Sequence, residues 1–69
     1  MNDQEKLDAI ADLFDVEPTE ITPETALETL EWDSMAMLGV IALAKTNGKS
    51  VAGATIREME TVADIMAVL

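Results

Sequence analysis

One small all-α domain spanning residues 1–69 is the fold this sequence predicts: a four-helix bundle of three main helices plus one short helix, with a long first loop. Three observations predict it. Apolar residues recur at helical spacing near both ends of the chain. Capping residues stand just ahead of those stretches. Between them, Met35 to Ala44 runs without a charge and stops at Asn47-Gly48.

Leu7, Ile10, Ala11 and Phe14 fall at i, i+3, i+4 and i+7, one stripe of an amphipathic helix, with Leu13 beside it. Asn2 caps its start, and Glu5 takes the capping-box position. Pro18 disfavours helical geometry at Glu17, so this helix ends near Val16. Residues 17–33 form the long connection. Within it Thr22-Pro23-Glu24 predicts a one-turn helix start, with a capping hydroxyl, a proline at the first position and then an acid. Ile21, Leu27 and Leu30 pin the connection onto the core.

The second main helix begins at Asp33 or Ser34 and ends around Thr46, where Lys45 favours the negative end of the dipole. Met35, Met37, Leu38, Val40, Ile41 and Leu43 place apolar groups nearly all round it. Such a helix is buried, or it offers an apolar face to a partner. Gly39 costs ~1 kcal/mol against alanine in mid-helix; it either permits a close approach or is neutral drift. Val51 to Glu60 holds a short helical turn with Ile56 and Met59 facing in. Thr61-Val62-Ala63-Asp64 is a capping box in its acid form. It opens a last helix with Val62, Ile65, Met66 and Leu69 on one face.

A chain of this length buries only ~60% of its extended surface, so modest stability is expected. The net charge of −10 lies entirely in residues 1–33, where eleven acids face the single base Lys6. Residues 34–69 balance three acids against three bases. That acidity repels nucleic acid and anionic membranes, and it either steers basic protein partners or simply keeps a small protein in solution. The chain has no histidine, cysteine or tyrosine. It therefore lacks the usual general base and the strongest side-chain nucleophile, and it is not expected to be an enzyme. No calcium-loop pattern and no histidine ligand is present, so no metal site is expected. No secretory leader or membrane-spanning run is visible, and a cytoplasmic protein is the expectation.

The most informative feature is Asp33-Ser34-Met35, standing where the loop becomes the second helix. A hydroxyl there sits beside free backbone N–H groups and the positive end of the helix dipole, which favour an attached phosphate.

With that triplet in place, the chain resembles the acyl carrier protein family over nearly its whole length. The resemblance rests on the helix order, on Thr22-Pro23-Glu24, on Leu30 four residues before the serine, and on the closing Thr61-Val62-Ala63-Asp64-Ile65. It implies that Ser34 receives 4′-phosphopantetheine from coenzyme A through a phosphopantetheinyl transferase. It also implies that the arm's thiol carries an acyl or aminoacyl group to acyl-loading and acyl-transferring enzymes. Asp33 matches the motif acid, which helps orient the transferase's metal and phosphate; plain helix capping is its other reading. A monomer is the expectation.

The chain departs from the family in three respects. Ala36, Gly39 and Lys45 stand where acids often line the helix after the serine, Glu31 replaces a common glycine, and Trp32 replaces a smaller residue. An apolar contact through Met35, Met37 and Val40 is the partner surface that follows, and Trp32 beside the attachment point either joins it or anchors the loop on the small core. The alternative is an unmodified helical interaction module that binds through the same helix.

Overall fold

The computed structural model describes residues 1–69. It contains four α-helices and no strands: α1 (Asp3–Phe14), α2 (Ser34–Thr46), α3 (Gly53–Arg57) and α4 (Val62–Met66). Single 3₁₀ turns lie at Pro18–Glu20 and Leu27–Thr29 in the first connection. α1 packs on α2 and α4, and α2 packs on α3.

Helix α1 opens on the expected capping box. Asn2 Oδ1 accepts from the Glu5 amide at 2.8 Å, and Glu5 Oε1 accepts from the Asn2 amide at 3.1 Å. The helix closes two residues before Val16. Asp15 adopts the left-handed conformation (φ 57°), and the Val16 amide donates back to the Ala11 carbonyl at 2.9 Å. Helix α2 ends in the same way at a glycine. Gly48 has φ 76°, the Lys49 amide donates to the Ala44 carbonyl, and the Gly48 amide donates to the Lys45 carbonyl, both at 2.9 Å.

The core joins Ile10 and Ala11 of α1, Val40 and Ala44 of α2, and Ile56, Val62 and Ile65 from the later helices. Ile21 and Leu27 are buried in it and Leu30 packs against it, as the sequence predicts for a pinned connection. No polar side chain is buried. Of the two readings of Gly39, the close approach holds. A Cβ built there would overlap Leu13 Cδ1, so α1 lies tight against the backbone of α2.

Two elements differ from expectation. Thr22-Pro23-Glu24 starts no helix but forms a turn, in which the Thr22 amide donates to Thr25 Oγ1 at 2.8 Å. The carbonyls that would continue a helix are taken elsewhere. Pro23 O accepts from the Ala63 amide at 2.8 Å and Thr25 O from the Val62 amide at 3.0 Å. With Leu27 donating to the Glu60 carbonyl at 2.8 Å, these bonds fasten the first connection to the start of α4.

The bundle also has two long and two short helices, not three long and one short. α4 spans only five residues. Beyond Met66 the backbone tightens, with Val68 donating to Ile65 O and Leu69 to Met66 O. Leu69 nevertheless reaches the core, as its place on the α4 face predicts.

Asp64 shows how such a short helix is held. Its Oδ2 accepts from the Glu60 amide at 2.8 Å and the Thr61 amide at 3.0 Å. Those two backbone bonds, Glu60 first, draw its carboxyl below the ordinary 3.8. A carboxyl depressed by folding contributes stability above its unfolded value and loses it as pH falls through the folded value. Asp64→Asn is therefore expected to flatten the decline in melting temperature below about pH 3.8. Acid titrations of both proteins by circular dichroism check this; superimposable declines would contradict it.

Candidate functional site

The start of α2 is built by Asp33, not by Ser34. Asp33 is extended (φ −126°), and its Oδ1 accepts from the Ala36 amide at 3.0 Å. Its carbonyl accepts from the Met37 amide at 3.0 Å. Ser34 is then the first helical residue, released from capping duty and exposed. Its hydroxyl takes part in none of the side-chain hydrogen bonds of the molecule. The amides of Ser34 and Met35 also lack an internal acceptor. An unencumbered hydroxyl thus stands next to two free N–H groups, at the positive end of a 13-residue helix.

Ser34 lies at the edge of an open groove of about 390 Å³ between α2 and α3. Met37, Leu38 and Ile41 line one wall, and Gly53, Ile56 and Arg57 line the other. Ile56 belongs to both the core and this groove, so the packing of α3 sets the groove's shape.

The four residues expected to form a partner surface do not lie together. Val40 is fully buried, because Ala36, Val40 and Ala44 make up the inward face of α2 at i, i+4 and i+8. It is a core residue, and its place in a partner surface is corrected. Met35 and Met37, two residues apart on a helix, line different grooves. Met37 is half-buried over α3, whereas Met35 is 80% exposed on the side of Leu13 and Phe14. Trp32 is half-buried, with its ring 6.1 Å from that of Phe14, and packs against the core. It ties the loop before Ser34 to the end of α1.

The residue missing from that surface is Leu38, 65% exposed and one turn from Met35. Met35, Leu38, Ala42 and Lys45 form the outward ridge of α2, all exposed. Alanine in the sequence does not mark the inward side of α2, because Ala36 and Ala44 are buried whereas Ala42 is exposed.

No helix is long and apolar enough to cross a membrane. No three acidic side chains are grouped to hold a metal ion. No family model, curated protein or solved structure matches the chain.

Proposed function

We propose that the chain is a carrier of acyl-carrier type, bearing a 4′-phosphopantetheine arm on Ser34. The observation that supports this most is the Ser34 hydroxyl, exposed and unbonded on a helix whose cap is supplied by its neighbour. The residues around it suit the arm. Two free amides and the dipole favour a phosphate, and an apolar groove with one cation adjoins the serine.

Attachment forms a bond between Ser34 Oγ and the pantetheine-side phosphorus of coenzyme A. The diphosphate bond breaks, adenosine 3′,5′-bisphosphate leaves, and the serine proton passes to the transferase. When attached, the arm supplies a thiol that holds an acyl or aminoacyl group as a thioester. This chain's own share is to present Ser34, to fix its backbone through Asp33, and to dock on the partners that load and unload it.

Coenzyme A, magnesium and a broad-specificity transferase test the proposal directly, because the chain has no cysteine. After desalting, one thiol per chain is expected. A folded protein that titrates no thiol would contradict a carrier function.

Met35 and Leu38 are the apolar contacts offered to partner enzymes. Exposed side chains carry little of the fold, whereas apolar anchors at an interface are worth ~1–2 kcal/mol each. The double variant Met35→Ser, Leu38→Ser is expected to keep its melting temperature and to lower transferase kcat/KM about tenfold or more. Unchanged turnover would remove this face from recognition. The same exposed pair favours the second reading, an unmodified interaction module, and the thiol measurement separates the two.

A further inference from the structure

We propose that Arg57 is the counter-ion of the phosphate attached at Ser34, holding the anionic end of the arm against the α2–α3 groove. The inference rests on the carrier reading and adds to it a residue with a defined role.

The surface has five grooves, and their charges differ in kind. Four are edged by carboxylates, among them Asp8 and Asp12 in one, Glu28 and Glu60 in another, and Asp15 with Glu31 in the remaining two. The groove at Ser34 has no carboxylate in its lining. It is also the one groove lined by a cation, Arg57. In a chain of net charge −10, an anion meets repulsion at every other groove and attraction here.

Arg57 is the sole arginine, and the lysines at 6, 45 and 49 line none of the grooves. It closes α3, five residues long, and its guanidinium folds back along that helix. Nη1 lies 3.8 Å from where a Cβ on Gly53 would stand. The guanidinium makes no side-chain hydrogen bond inside the protein, so all its donors remain for a ligand. A planar fork of N–H donors fits two oxygens of a phosphodiester, which an ammonium does less well. A cation at a helix C-terminus also favours the dipole, but that role acts equally with and without the arm.

The test uses ¹⁵N-labelled protein before and after transfer from coenzyme A, with intact mass recorded on each sample. The single Arg57 Nε–H resonance is expected to move on attachment. The ³¹P resonance of the attached phosphodiester is expected to differ between the parent and Arg57→Gln, with Arg57→Lys in between. Both differences are expected to shrink in about 1 M salt, where the screening length is near 3 Å. Modified protein whose Nε–H does not move, and whose ³¹P signal is the same in parent and Arg57→Gln, would overturn the assignment while leaving the carrier reading intact. A parent chain with no mass gain would overturn both.

Discussion

Ile56→Ala is expected to remove about half of the protein's folding stability. Ile56 is 1% exposed and belongs to the one apolar core. Truncating a buried isoleucine to alanine costs ~2–5 kcal/mol, because transfer energy is lost and a cavity remains. A domain of this size has only ~3–10 kcal/mol in total. The loss falls on the element least able to bear it. α3 spans Gly53–Arg57, far below the ~12–15 residues at which an isolated helix begins to hold in water. Ile56 and the following Met59 anchor this segment, and α3 forms one wall of the groove beside Ser34. Urea unfolding followed by circular dichroism measures the change. A loss under ~1 kcal/mol would mean that α3 is held by something other than Ile56.

Ser34→Ala is expected to do the opposite, abolishing modification while sparing the fold. The side chain is exposed and makes no hydrogen bond, so its removal falls within the ~0.5 kcal/mol of ordinary surface changes. Asp33→Ala removes the true cap and costs ~1 kcal/mol, which in a chain this short lowers the melting temperature by ~4–8 °C. The contrast between the neighbouring variants is the expected result: a clear loss of stability at position 33 and almost none at 34. Equal losses at both would return Ser34 to a capping role and weaken its reading as an attachment point.

Much of the fold was legible because local chemistry specifies it. Asn2 with Glu5, Asp64 beneath Thr61, and Gly48 after Asn47 each satisfy helix ends through residues a few positions away. The failures share a different cause. Thr22-Pro23-Glu24 has local helix-start chemistry, but residues 62 and 63, far along the chain, claim the carbonyls of Thr25 and Pro23. Helix α2 is apolar on nearly every side, so side-chain hydrophobicity cannot say which side faces in. Buried alanines and Val40 decide it, and they turn Met35 and Leu38 outward. The site divides along the same line. Asp33 and Ser34 were visible as a motif. Arg57, twenty-three residues further on, meets Ser34 at one groove only through the packing of α3 on α2.

The intact mass of the folded protein, before and after incubation with coenzyme A, magnesium and a broad-specificity transferase, tests the carrier reading most directly. A gain of one phosphopantetheine in the parent, and none in a folded Ser34→Ala variant, is the result that reading requires. No gain in a folded parent, or the same gain in both proteins, would contradict it.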